Sequence, residues 1–390
     1  MDANATTPLL PEVFEAMRPF FIERFGNPSS IHQHGQAARG AVEQARMAIA
    51  RTLHCLASEI VFTSGGTESD NLALFGTLTR GDHLITSAIE HHAVLHAAEA
   101  LEKRGVEVTY LPCTPDGLIE PATLAAALRP STRLVSIMFA NNETGAIQPI
   151  AELARIAKTA GALFHTDAVQ AGGKHTLDLS ATGEFGNVDL LSLSGHKMYA
   201  PQGVGILFVR KSIRLAPLFH GGTHERQRRA GTENLPGIVA LGKAAQLAQA
   251  WIANGGPERL AALRDRLEQG LLTAIPASGV NGAGTPRTAN TTNLYFDHVE
   301  AEALVIALDL KGLSVSGGSA CQSGAAEPSH VLTAMQLTRA RARASIRISL
   351  SKLSTEEDVD FALSVIPTAV ERLRSLSPNW PRTETVLATA

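Results

Sequence analysis

The chain has 390 residues, a length that accommodates two to three domains of ordinary size. Its 34 Lys and Arg nearly balance 37 Asp and Glu, and 44% of residues are hydrophobic. This balance excludes a disordered chain, argues against a dedicated nucleic-acid binder, and points to a soluble enzyme with a large core. Three cysteines cannot build a disulfide framework, so a reducing cytoplasm is expected. Met1-Asp2-Ala3-Asn4 lacks the basic and apolar stretches of a signal peptide, and no apolar run approaches the ~18–20 residues that span a bilayer.

Helical and strand patterns alternate from about residue 36 to 210. A helix is predicted over 36–53, a strand over 59–63 and a helix ending at Leu78. Strand 83–86, helix 93–104, strand 106–111, helix 123–128 and strand 134–139 follow. Helix 152–160 and strands over 163–166, 190–193 and 205–209 complete the series. Short apolar strands separated by helices imply an α/β fold with a mainly parallel sheet between helices. Ligands of such sheets bind at the carboxyl ends of the strands, so those loops are where chemistry is sought. Beyond them, 235–272 reads as long helices broken near 254–257, then strands at 292–296 and 344–350 and helices at 302–310 and 356–374. The expected organisation is a large unit over 11–254 and a smaller α+β unit formed by 1–10 and 255–390.

Five strand-end loops carry candidate chemistry. Ser64-Gly65-Gly66-Thr67 opens a helix, and its backbone N–H groups suit a phosphate; a tight turn with Thr67 as N-cap is the alternative. After the next strand, His91 suits stacking on a flat ligand or shuttling a proton. His92 and His96 have helical i,i+4 spacing, but no HExxH pattern or third ligand accompanies them, which argues against zinc. Asn141 and Asn142 end a further strand as polar ligands or as a turn. Asp167, with Gln170 three residues on, is either a functional carboxylate or a helix cap. Lys197 closes the apolar strand and small polar run Leu191-Ser192-Leu193-Ser194-Gly195-His196. Partial desolvation there would lower its pKa and make the amine nucleophilic enough to form an imine. Together, an anion cradle, a stacking histidine, an acid and a strand-end lysine match the needs of pyridoxal phosphate.

These loops resemble the NifS/IscS cysteine desulfurases, within the fold-type I pyridoxal-phosphate enzymes. The resemblance runs nearly end to end. It is carried by Asp2-Ala3-Asn4-Ala5-Thr6-Thr7-Pro8, Thr63-Ser64-Gly65-Gly66-Thr67-Glu68-Ser69, Asn141-Asn142-Glu143-Thr144-Gly145 and His165-Thr166-Asp167-Ala168-Val169-Gln170. It continues through Ser194-Gly195-His196-Lys197, Arg228-Arg229-Ala230-Gly231-Thr232-Glu233-Asn234, Ser319-Ala320-Cys321 and Ser345-Ile346-Arg347-Ile348-Ser349-Leu350. Met1 stands directly before Asp2, where relatives usually have a short strand, so the small unit's first strand is in question. Gly317 stands where a serine is common.

The resemblance implies a role for each matched residue. Lys197 would hold the cofactor and move the Cα proton, Asp167 pair with the pyridinium nitrogen, Gln170 bond the phenolic oxygen and His91 stack on the ring. Gly66, Thr67, Ser194 and His196 would hold the phosphate, joined by Thr232 from the partner subunit of a homodimer. Asn142, Arg347 and Asn4 would bind the substrate L-cysteine. Arg347 shares a strand face with Ser349, opposite Ile346, Ile348 and Leu350; a structural ion pair is its alternative. Cys321, in a Gly- and Ser-rich loop, would take the sulfur as a persulfide and pass it to an acceptor protein, leaving alanine. Cys55 and Cys113 lie in more apolar surroundings and are expected to be structural. The acceptor is left open among iron–sulfur cluster assembly, tRNA thiolation and nitrogenase supply. The competing expectations are a selenocysteine lyase or related aminotransferase, and a non-catalytic sulfur-transfer scaffold of the same fold. The arginines at 226, 228 and 229, and at 339, 341 and 343, are read as phosphate contacts and solvated faces rather than a nucleic-acid site.

Overall fold

In a computed structural model that describes residues 1–317, 328–377 and 380, seven strands form one sheet and four strands another. The large sheet comprises β1 (Ile60–Thr63), β2 (His83–Ser87), β3 (Glu107–Leu111), β4 (Thr132–Ser136), β5 (Leu163–Asp167), β6 (Leu190–Ser194) and β7 (Gly205–Val209). Their order is β1-β7-β6-β5-β4-β2-β3, and β7 alone runs against its neighbours. The six parallel strands therefore end on one edge, as the alternating pattern predicts.

Period-2 alternation sends these strands' side chains into two apolar layers. Ile60, Phe62, Ile85 and Val135 join one core, whereas Val61, Leu84, Leu134 and Leu207 join the other. The first core also takes helices Gln33–Thr52 and Leu235–Ala253. These two helices approach closely because Gly242 has no side chain; a Cβ there would lie 2.8 Å from the Ala45 Cα. The long helical region predicted at 235–272 is two helices, Leu235–Ala253 and Gly256–Ala274. The break falls at Gly255, whose φ of +71° is readily adopted only without a Cβ.

The smaller sheet comprises β8 (Ser278–Val280), β9 (Thr291–Phe296), β10 (Ser316–Gly317) and β11 (Ser345–Ser349), in the order β10-β11-β9-β8 and antiparallel throughout. A third core lies beneath it, where Leu294, Phe296, Ile346 and Ile348 meet Leu267, Leu304 and Ile366 of the flanking helices. The N-terminal segment belongs to this sheet's edge: Asp2 bridges Ser349 in parallel, the Ala3 N–H donates to the Ser349 carbonyl and the Ser349 N–H to that of Met1. The N-terminal segment joins the small sheet through this one isolated bridge among the described residues. One predicted boundary also shifts. The strand expected at 134–139 leaves the ladder after Ser136, although the Phe139 N–H still donates to the Asp167 carbonyl at 2.8 Å. Among the described residues no helix is long and apolar enough to cross a membrane.

Candidate active site

Five carboxyl-end loops of the large sheet face the N-terminal segment and β11. The turn after β1 is built on two close approaches. Gly65 has a φ of +155°, and a Cβ on its neighbour Gly66 would lie 2.8 Å from the Val169 Cγ2. A Cβ on Gly205, at the start of β7, would lie 2.7 Å from the Gly65 Cα. Gly205 is in register with both Thr63 and Ser194, so bare backbone brings the β1 turn beside the end of β6. The helix that follows, Gly66–Thr77, takes Gly65 as N-cap with no side-chain cap, so Thr67 stands inside the first turn and is not the cap. Its uncapped N–H groups and the exposed Ser64 and Thr67 suit an anion.

His91 follows β2 as the N-cap of helix His92–Glu102, its Nδ1 accepting the Ala93 N–H at 3.1 Å. That bond places the neutral ring's proton on Nε2 and fixes the plane of an otherwise exposed imidazole. His92 packs edge-on against His96 and His330, at centroid distances of 5.0 and 4.7 Å, and no cluster of three or more metal-ligating groups occurs among the described residues.

Asp167 ends β5, buried, with its Oδ1 accepting the Val169 N–H at 2.9 Å. Burial raises its pKa, opposed by the charges of His91 and Lys197. Behind it lies a buried polar layer that sequence reasoning missed. His165 bonds Ser136 at 2.8 Å and Ser192 at 3.0 Å, and burial pushes its pKa down to about 3. Burial also raises Asp70, and Glu90 to about 8; one oxygen of each carboxyl has no hydrogen-bond partner.

Lys197 ends the 3-10 turn Gly195–Lys197 that follows β6. Burial, then the charge of Arg347, brings its pKa down to about 8 against the opposing pull of Asp2 and Asp167. Its Nζ donates to the carbonyls of Asn4 and, at 2.6 Å, Ala5. The N-terminal segment is stitched to the same turn by Thr7, whose N–H and hydroxyl donate to the His196 carbonyl at 2.9 and 2.8 Å. The His196 Nδ1 lies 3.1 Å from the Thr6 hydroxyl, and burial with the Lys197 charge holds its pKa near 4, so the ring is neutral. Gln170 reaches the same place, its Nε2 donating to the Asn4 carbonyl at 3.1 Å.

Across the cleft, Arg347 on β11 is buried with Ser349 on the face opposite Ile346 and Ile348, as the alternation predicts. It donates to Asp2 Oδ1 at 2.7 Å and to the Asn142 carbonyl at 3.1 Å, while its Nε–H has no partner among the described residues. The Asn4 side chain is engaged within the protein: Nδ2 donates to the Asn142 carbonyl and Thr291 hydroxyl, and Oδ1 accepts from Asn290. Thr232 lies apart from these groups, beside Ser64, Arg229 and Asn234 in a shallow groove.

Cys321 lies outside the described residues, but both flanks of its segment are at the site. Ser316 is in register with Arg347, and Ser329 donates to Glu143 Oε2 at 2.6 Å, one residue from Asn142. The next residue, His330, places Nε2 2.9 Å from the Glu90 carbonyl. Of the other cysteines, Cys113 is buried in the core and burial raises its thiol, while Cys55 is half-buried with its thiol pushed to about 12.

Comparison with known proteins follows the same lines. A family model described as aminotransferase class-V matches residues 1–361. The chain is 50% identical over 386 residues to cysteine desulfurase IscS of Methanosarcina thermophila, covering 98% of this chain and 94% of that protein. Among solved structures, it is similar to a NifS-like protein with a TM-score of 0.87 and 37% identity, over 95% of this chain and 98% of that one. It is also similar to SspA in complex with cysteine, with a TM-score of 0.78 and 37% identity over 91% and 99%.

Proposed function

This chain belongs to the class-V aminotransferase family and, within it, to the cysteine desulfurases; from that premise we propose that Lys197 anchors pyridoxal phosphate and moves the substrate's Cα proton, and that Cys321 takes the sulfur. The observation that carries the reading is the meeting of a depressed lysine, a buried carboxylate and an uncapped glycine turn at the ends of β6, β5 and β1. The residues fit the cofactor: bare backbone at Gly65 and Gly66 leaves room for a phosphate, and the neutral His196 ring can donate to it. Gly66, Thr67, Ser194 and His196 hold that phosphate, with Thr232 supplied by a second copy of the chain in a homodimer. When bound, pyridoxal phosphate supplies an electron sink for charge developing at the substrate's Cα.

With the cofactor bound, Asp167 would pair with its ring nitrogen and favour the protonated form, His91 would stack on its ring, and Gln170 would donate to its phenolic oxygen. A lysine near pKa 8 is partly unprotonated at neutral pH, so Lys197 can accept a proton at Nζ and return it. The unpartnered Arg347 Nε–H, with its neighbouring N–H groups, receives the carboxylate of L-cysteine alongside Asn142. Asn4 serves this site through its carbonyl, which positions Lys197 and Gln170. The Cys321 thiolate attacks the substrate sulfur, the Cβ–S bond breaks, alanine leaves after protonation, and the persulfide passes to an acceptor protein. The inert settings of Cys55 and Cys113, and the two flanks that bracket the cleft, support Cys321 as that nucleophile. Two sheets with separate cores support the division into units 11–254 and 1–10 with 255–390.

The test is to supply L-cysteine to purified protein and follow alanine, sulfide and protein-bound persulfide. Cys321→Ala should stop persulfide formation, and Lys197→Ala should remove the yellow colour that borohydride bleaches. Undiminished sulfide release from the Cys321 variant, with and without reductant, would defeat the persulfide step.

A further inference from the structure

A second lysine approaches the site from behind. Lys174 lies in the turns after β5, following Gly172 and Gly173, and lines a narrow cleft with Ala3, Lys197 and Lys352. Burial, followed by the charges of Lys197 and Arg347, lowers its pKa to about 7. Among the described residues its Nζ has one hydrogen bond, to Gln170 Oε1 at 3.1 Å. The amide's other end donates to the Asn4 carbonyl, which also receives Lys197. One amide and one carbonyl therefore separate two lysines.

We propose that Lys174 is a positioning residue for Gln170, fixing the orientation of its amide so that an N–H rather than the oxygen is presented to the cofactor's phenolic oxygen. The inference rests on the reading of Gln170 given above. In its ammonium form, which predominates below pH 7, Lys174 only donates, so it binds the amide oxygen and leaves both Nε2 hydrogens on the far side. One reaches the Asn4 carbonyl, and the other is free for a ligand oxygen. Without Lys174 only the Asn4 carbonyl holds the amide's orientation, and a half-turn would place its oxygen against an anionic oxygen where it repels rather than donates. The sequence signal is faint: Gln170 and Lys174 are four residues apart, but in a glycine-containing turn rather than a regular helix.

The test is the pH midpoint of the bound cofactor's visible absorption band, measured for Lys174→Met, Gln170→Ala and the double variant. A donor to the phenolic oxygen stabilises its anionic form, so losing that donor makes it hold its shared proton more tightly and raises the midpoint. Each single variant should raise it by about one pH unit, and Lys174→Met should add nothing in the Gln170→Ala background. Lys174→Gln, which keeps a donor but loses the charge, should titrate like the unaltered protein. Additive shifts, an unmoved midpoint in Lys174→Met, or a full shift in Lys174→Gln would each overturn the inference while leaving the role of Gln170 intact. A silent Gln170→Ala would overturn both. Lys174→Ala, read by the same criteria, replaces Lys174→Met should that variant fail to fold.

Discussion

The two sheets meet at one cleft but bring different chemistry to it. The large sheet's side of the cleft carries groups whose pKa values burial displaces: Asp167, Lys197 and, behind them, Asp70, Glu90 and His165. The small sheet brings fixed dipoles, the buried Thr291, Asn293 and Ser349 bonded to Asn4 and the Glu143 carbonyl, and contributes one arginine. Parallel strand ends suit the first task because successive loops converge there without mutual hydrogen bonding. An antiparallel ladder suits the second, since its side chains stand in a rigid row. The difference suggests a separation of labour, with proton transfer on one side and orientation of the substrate on the other.

The comparison can be broken first at Lys197. Lys197→Ala should lower alanine formation from L-cysteine by about 10³-fold or more, because base and anchor are lost together. Arg347→Gln should act on the other side, raising KM for L-cysteine by about 30-fold with a smaller change in kcat, as expected for roughly 2 kcal/mol of charge-assisted bonding. Steady-state kinetics decides it; a fall in kcat without a KM effect would place Arg347 in the proton chemistry and erase the distinction. The sides are not electrically independent, because Arg347 helps depress Lys197. Uptake of pyridoxal phosphate by the apo-protein, followed by absorbance, should quicken with pH through a midpoint near 8 as Lys197 loses its proton. In Arg347→Gln the ammonium form is less disfavoured, so that midpoint should move upward.

The smallest effect concerns stability. Glu90, raised to about 8 from an ordinary value near 4.5, binds its proton more tightly when folded. Its contribution is complete below pH 4.5 and is lost as pH rises towards 8, at no more than about 1.4 kcal/mol per unit. Glu90→Gln cannot lose a proton, yet keeps an oxygen for Ser87 and the Met138 N–H. Its thermal midpoint relative to the unaltered protein should therefore climb by roughly 2–4 °C between pH 5 and 8. A flat difference would remove Glu90 from the titrating side.

What could be read from the chain alone follows the same divide. Apolar strands broken by helices reveal the large sheet, and a lysine directly after such a strand stands out because desolvation has a local signature. Arg347 is legible because its neighbours alternate. The buried polar row is not: Thr291 meets Asn4 of the N-terminal segment, Thr292 meets Glu268 and Asn293 meets the Glu143 carbonyl, partners that no short window of sequence shows. β8 and β10, of three and two residues, have no apolar run to announce them. Lys174 and Glu90 gain their character only from tertiary burial, which no short window of sequence contains.

The N-terminal segment itself has a mechanical consequence. Its Ala3 end is pinned to β11 of the small sheet, its Thr7 end to the turn carrying Lys197, and the Asn4 carbonyl between them receives two side chains of the large sheet. A short tether fixed to two bodies behaves as a strain gauge: sliding of one sheet against the other must stretch it or release a clamp. Amide hydrogen exchange at Ala3 and Thr7 would therefore register relative movement of the sheets even where the catalytic side chains are spectroscopically silent.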